Sequence, residues 1–455
     1  MPSEGDRDGT SDPAISTNHE HATAVAGGAG APLLVQRFRV AVTAGPDQGL
    51  DHTSSSDKVI VGTHGSCDLL LTDRAVSRFH LELRVDPRRG VIVRDLGSSN
   101  GTTVDGVPVI EAPLRASAVL AIGQSRLRLD LGPDRIVVPV STRDRFGTLV
   151  GASAAIRAIF AVLERAAASD ATVLITGETG TGKSVTAESI HSESARKDGP
   201  FVVVDCGALP AALLESELFG HDKGAFTGAD KARAGALEEA HGGTLFLDEI
   251  GELALDLQPK LLRVLESKQT KRLGSNKYVP ADVRLIAATN RNLREEANRG
   301  RFRADLYYRL AVLELTMPPL RDHPEDLRAL VDGHFEVRGQ IAEAERVGLR
   351  SDEFLRDLER HSWPGNIREL RNYLERCLAM QDQVPLGAES TPASEVPVDS
   401  RLLHAAAREQ WNAWCERRYL TELLARNGGN VTAAAREAGI SRAHIYRLLT
   451  QYRLR

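Results

Sequence analysis

No run of 18 uninterrupted apolar residues occurs in the 455-residue chain, which argues against a membrane-spanning helix and against a membrane partner. The N-terminus also lacks the basic-then-apolar order of a secretory leader, being acidic and glycine-rich through Glu4, Asp6, Asp8 and Asp12. Both absences predict a cytoplasmic protein. Cysteine is scarce, and Cys67, Cys206, Cys377 and Cys415 form no C-x-x-C pair, so reduced, buried thiols are expected rather than a zinc site or a disulfide framework. What remains is an ordinary globular composition, 42% hydrophobic and 26% charged, in a chain long enough for about three domains. The net charge of -5 hides an asymmetry: residues 401–455 hold ten Arg against four Glu, or +6, which leaves -11 elsewhere. A basic C-terminus on an acidic protein points to nucleic acid.

Residues 1–31 carry five acidic residues and one Arg among small side chains, and read as a disordered tail. Over 32–132 apolar residues alternate, as in Phe38, Val40 and Val42, then Leu81, Leu83 and Val85, then Leu127, Leu129 and Leu131. Period two repeated this often predicts an all-β sandwich. A linker is expected at 133–146. From 147 to 380 helices alternate with short buried strands at 173–176, 201–204, 245–247 and 285–288, the pattern of a parallel α/β sheet. A second linker, 381–400, holds Pro385, Pro392 and Pro397, and 401–455 is helical.

Gly177, Glu178, Thr179, Gly180, Thr181, Gly182, Lys183 and Ser184 follow a strand and open a helix, the context of a P-loop. The glycines let backbone N–H groups close around phosphate, Lys183 reaches the outer phosphates, and the Ser184 hydroxyl can ligate Mg²⁺. Downstream, Thr244-Leu-Phe-Leu-Asp248-Glu249 ends a buried strand in two carboxylates. Asp248 is expected to hold Mg²⁺ and Glu249 to orient the water that attacks the ATP γ-phosphate.

The segments E-S-E-L-F-G-H-D-K-G-A-F-T-G-A at 215–229, R-F-R-A-D-L-Y-Y-R-L at 301–310 and W-P-G-N-I-R-E-L at 363–370 resemble the AAA+ domain of sigma-54-dependent transcriptional activators. The resemblance implies a homo-oligomeric ring, a hexamer, with Asn290 as γ-phosphate sensor and Arg303 and Arg309 as arginine fingers for a neighbouring subunit. It makes Arg368 a second nucleotide sensor, and the loop Gly224, Ala225, Phe226, Thr227, Gly228, Ala229 the contact with sigma-54 RNA polymerase. One position departs. Asp205 stands where the family has an Asn that pairs with the catalytic Glu, and two carboxylates there would repel.

Within the β region, Ser77-Arg-Phe-His80 and Asp95-Leu-Gly-Ser-Ser-Asn100-Gly-Thr102 resemble the forkhead-associated (FHA) domain, a phosphothreonine reader. By that resemblance Ser77 and Arg78 contact phosphate, Ser99 and Asn100 hold the peptide, and His80 is structural, with a phosphothreonine protein or Ser/Thr kinase as partner. Thr63 replaces the family's phosphate-binding Arg. Residues 430–449 read as two helices joined at Gly439, with Ile445, Leu448, Leu449 and Tyr452 as the buried stripe of the second. They resemble a Fis-type helix-turn-helix, which would bring Arg442, Ala443, His444, Tyr446 and Arg447 to the major groove of enhancer DNA. The expected whole is a multidomain chain: an all-β FHA sandwich, an α/β AAA+ P-loop ATPase with a helical lid, and an all-α helix-turn-helix. Its expected work is ATP-driven conversion of sigma-54 RNA polymerase from closed to open complex.

Overall fold

Alternation along the strand Leu33–Ala44 buries Phe38, Val40 and Val42 while Arg39 between them stays exposed, so the strand has one wet and one dry face. Two sheets stack their dry faces, antiparallel except for the parallel pair of Lys58–Gly62 with Leu69–Leu70. One places Leu33–Ala44 between Asp51–Thr53 and Ser125–Val138 and continues through Val119–Ile122, Thr102–Val104 and Val107–Val109. The other runs Leu69–Leu70, Lys58–Gly62, Leu81–Asp86, Gly90–Asp95 and Glu111–Pro113. This computed structural model describes residues 33–86 and 89–386, together with Leu420, Leu423, 430–431, 434–435 and 442–451. The expected tail at 1–31, most of the 381–400 linker and residues 401–419 lie outside the described residues.

The expected break between sandwich and ATPase differs from the structure. The strand Ser125–Val138 runs past residue 132 and pairs Val138 with Leu33, because the β-branched Ile136, Val137 and Val138 extend its pairing. Residues 145–150 then form a hairpin whose Phe146 is buried against Phe160. The segment expected as a linker therefore begins within a sandwich strand and ends in this hairpin.

The ATPase sheet is parallel throughout, in the order Phe201–Asp205, Thr244–Asp248, Arg284–Thr289, Val173–Thr176, Leu313–Thr316. Strands buried on both faces need continuous apolar runs, and Thr244–Asp248 and Arg284–Thr289 supply them. Helices Leu327–Arg338, Ile341–Val347, Asp352–Glu359 and Asn366–Met380 form the lid. Cys67, Cys206 and Cys377 are buried and unpaired, as expected. In the C-terminal part, helix Arg442–Gln451 buries Ile445 and Leu449 with Leu423, Val431, Ala434 and Ala435. Leu448 is buried too, whereas Tyr452 lies outside the described residues. Among the described residues no helix is long and apolar enough to cross a membrane.

Candidate nucleotide site

The carboxyl ends of the central strands bring the acidic pair to the P-loop, the position where parallel sheets bind ligands. Ser184 Oγ donates to Asp248 Oδ2 at 3.1 Å, and Lys183 Nζ stands 3.8 Å from Glu249 Oε1. Lys183 also donates to the Gly177 and Glu178 carbonyls at 3.0 and 3.2 Å. Burial lowers the Lys183 pKa; Glu249 and Asp248 oppose this shift and the nearby Arg368 adds to it. Two cations held close to one another define a place for an anion. The donor set also fits magnesium, which takes hard oxygen ligands such as the Ser184 hydroxyl and the Asp248 carboxylate.

The cradle itself requires glycine. Gly180 and Gly182 have φ of 83° and 96°, and a Cβ on Gly180 would lie 2.2 Å from the Gly365 carbonyl of the lid. The lid touches the P-loop at that point. Arg368 N donates to Gly180 O at 3.3 Å, and Asn366 Nδ2 donates to both Glu178 Oε2 and the Thr179 carbonyl at 3.1 Å. Arg321 forks onto the Glu178 carboxylate. Arg321 and Asn366 escaped attention as site residues in the sequence. Asn366 lies inside the P-G-N motif, the one signal that could have exposed it.

Asn290 directly follows its strand and bonds two residues of the site. Its Nδ2 donates to Thr179 Oγ1 at 3.2 Å, and its backbone N donates to Glu249 Oε2 at 3.1 Å. Asp205 Oδ1 accepts from Gly207 N at 2.8 Å, while Glu249 accepts from Asn290 N at 3.1 Å and stands 3.8 Å from Lys183 Nζ.

The other expected residues lie away from this cluster. Arg303 pairs with Asp305 at 2.7 Å, and Arg309 donates to the Leu265 carbonyl at 2.9 Å; among the described residues neither bonds the P-loop of its own chain. The loop Gly224–Ala229 closes its neck through Gly224 N donating to Ala229 O at 2.8 Å, and Phe226 is 43% exposed at its tip, edge-on to His221. In the sandwich, Ser77 Oγ accepts from Ser99 N at 3.0 Å and Asn100 Nδ2 donates to Ala75 O at 2.7 Å. Arg78 is exposed and His80 fully buried, bonded to Ser77 N and Gly101 O. Arg442 and Arg447 are exposed on the C-terminal helix; the side chains of Ala443, His444 and Tyr446 lie outside the described residues.

A P-loop opening a helix beside a parallel sheet, an acidic pair on the next strand and a helical lid closing on the P-loop define an AAA+ ATPase. Residues 149–316 match the Sigma-54 interaction domain, 321–397 the AAA+ ATPase lid domain and 415–452 the bacterial regulatory proteins of the Fis family. Residues 41–131 match the cytoplasmic domain of an inner membrane component of T3SS. The chain is 45% identical over 307 residues to the transcriptional regulatory protein ZraR of Klebsiella oxytoca, covering 66% of this chain and 67% of that one. It is 46% identical over 267 residues to the DNA-binding transcriptional regulator NtrC of Rhizobium meliloti, covering 57% of this chain and 54% of NtrC. The crystal structure of NtrX from Brucella abortus matches with a TM-score of 0.51 at 35% identity, over 67% of this chain and 69% of that one. The chain belongs to the sigma-54-dependent transcriptional regulators, and it is an ATPase.

Proposed function

We propose that the chain works as a hexameric ring in the cytoplasm, binding enhancer DNA and using ATP to open promoter complexes of sigma-54 RNA polymerase. Ser184 and Asp248 would hold Mg²⁺, which supplies charge neutralisation on the phosphates. Lys183 and Arg368 bind the polyphosphate, Glu249 orients the attacking water, and Asn290, bonded to both Thr179 and Glu249, reports the γ-phosphate. Arg303 and Arg309 serve the site of the neighbouring subunit, where a guanidinium stabilises the charge spread in phosphoryl transfer. Arg442 and Arg447 contact DNA together with Ala443, His444 and Tyr446. The sandwich takes phosphothreonine at Ser77 and Arg78, with Ser99 and Asn100 along the peptide.

The observation that carries the reading is the intact Gly224–Ala229 loop with its exposed Phe226. The loop contains no titratable group and cannot take part in phosphoryl transfer, yet an aromatic ring presented between glycines can grip a partner. Hydrolysis and remodelling therefore separate. Thr227→Ala is expected to keep its ATPase activity and DNA binding while failing to capture sigma-54 with a transition-state nucleotide analogue and failing to open promoter DNA. Normal opening by both Thr227→Ala and Phe226→Ala would reject the assignment.

A further inference from the structure

The sandwich is seated on the two helices that flank Arg303, Leu293–Asn298 and Ala304–Leu310, the second of which carries Arg309. Ile60, Cys67, Phe79 and Leu96 of the sandwich share one buried apolar cluster with Leu293, Ala297, Leu306 and Tyr307. Around it, Asn298 Nδ2 donates to the carbonyls of Phe79 and Leu96 at 2.5 and 2.9 Å, and its Oδ1 accepts from Phe79 N at 3.4 Å. Arg94 pairs with Glu295 at 2.9 Å and Lys58 with Glu314 at 3.3 Å.

The contact reaches the phosphate-reading residues through one loop. Thr63 N donates to Ser77 O and His64 N to Arg78 O, both at 3.1 Å, so residues 63–66 lie directly beside Ser77 and Arg78. The side chains of His64 and Ser66 point elsewhere. The His64 ring stacks on Tyr308 with centroids 4.5 Å apart and planes 17° apart, and Ser66 Oγ bonds the Tyr308 hydroxyl. Tyr308 precedes Arg309 in the chain. In the segment that follows, Arg78 faces solvent while its neighbour Phe79 is buried against the ATPase.

We propose that residues 63–66 have two mutually exclusive uses: they dock the sandwich on the finger helix through Tyr308, or they close over a phosphothreonine phosphate held by Ser77 and Arg78. This rests on the phosphothreonine reading above. A phosphate placed over Ser77 and Arg78 draws the adjacent loop toward itself, because the hydroxyls of Thr63 and Ser66 and the His64 ring are donors, and donors beside a dianion form charge-assisted hydrogen bonds. His64 and Ser66 cannot follow while they are engaged with Tyr308. Phosphopeptide binding therefore loosens the sandwich from Ala304–Leu310, and a helix so released is free to carry Arg309 from its bond with the Leu265 carbonyl toward a neighbouring subunit. By linkage, weakening the docking strengthens phosphopeptide binding by the same factor.

The test uses the full chain, with a pool of nine-residue peptides carrying a central phosphothreonine and randomised flanks, and the unphosphorylated pool as control. Tyr308→Ala removes the seat of the loop; Asn298→Ala weakens the same docking from the other helix, away from the fingers. Both variants are expected to bind the phosphorylated pool at least about fivefold more tightly than the wild type. Both are also expected to hydrolyse ATP without peptide at the higher rate that the wild type reaches only with it. Wild-type affinity in both variants overturns the shared loop and leaves phosphothreonine reading in place. Tighter binding with an unchanged ATPase rate overturns the release of the finger helix. No binding of the phosphorylated pool by any of the three proteins overturns both readings.

Discussion

Asn366 Nδ2 lies 3.1 Å from Glu178 Oε2, so the first residue of the lid's last helix is bonded to the P-loop. The same side chain accepts from Leu320 N at 2.9 Å, is wholly buried, and belongs to a backbone with φ of 53°. Asn tolerates this left-handed conformation better than most residues, and here its amide makes three bonds to two separate segments, the P-loop at Glu178 and Thr179 and the turn at Leu320. Asn366 thus joins lid position to P-loop shape, beside the Arg368 N bond to Gly180 O.

Asn366→Ala should therefore destabilise the ATPase by about 2 to 4 kcal/mol, from lost buried hydrogen bonds and a strained backbone. Asn366→Gly relieves the strain alone and should be about 1 kcal/mol milder. Denaturant unfolding of the three proteins checks the order. A glycine variant less stable than the alanine variant contradicts the backbone account.

Lys183→Ala should lose nucleotide binding, since the lost ammonium group stands between the P-loop carbonyls and Glu249. Glu249→Gln keeps that lysine and should bind ATP while hydrolysis falls about 10²-fold or more, the usual scale for losing a positioned base. Equilibrium binding of a fluorescent nucleotide and a steady-state phosphate-release assay separate the two effects. Equal hydrolysis by Glu249→Gln and wild type removes the assignment.

Arg303 and Arg309 are both held within their own chain, by Asp305 and by the Leu265 carbonyl. If they act on a neighbour, Arg303→Ala and Arg309→Ala should each lower hydrolysis by about 10³-fold, the lower end of an arginine finger's contribution. Mixing either variant with Lys183→Ala should restore part of the activity, because some interfaces then pair an intact P-loop with an intact finger. A titration showing no rescue at any ratio counts against catalysis in trans.

Glu314 predicts how stability responds to acid. Burial alone would raise its pKa, but Lys58 of the sandwich and Arg294 of the ATPase bring it down to about 2 from 4.5. A folded value below the unfolded one stabilises fully above about pH 4.5 and loses that contribution as pH falls toward 2. The amount at stake is about 3 kcal/mol. Glu314→Gln should be less stable than wild type at neutral pH, since it leaves Lys58 and Arg294 to share the single carboxylate of Glu82, and should lose less on acidification. Parallel pH-dependent losses in both proteins would assign the acid sensitivity to other groups.

Much of this protein was legible in short stretches of sequence. The P-loop, the Thr244–Asp248 strand with its acidic end and the alternating strands of the sandwich are local features, because a strand's face and a phosphate loop's backbone depend on residues a few positions apart. The extent of Ser125–Val138 was less legible, since its pairing with Leu33–Ala44 continued into a segment expected as a linker. Three contacts depended on tertiary structure alone. Asn366 meets Glu178, Glu249 takes the Asn290 N–H, and His64 stacks on Tyr308. Each joins loops or strand ends that the order of the parallel sheet and the seating of the sandwich bring together. Amino-acid type marked these groups as polar or aromatic, but which partner each would find depended on packing between distant segments, which no local propensity encodes.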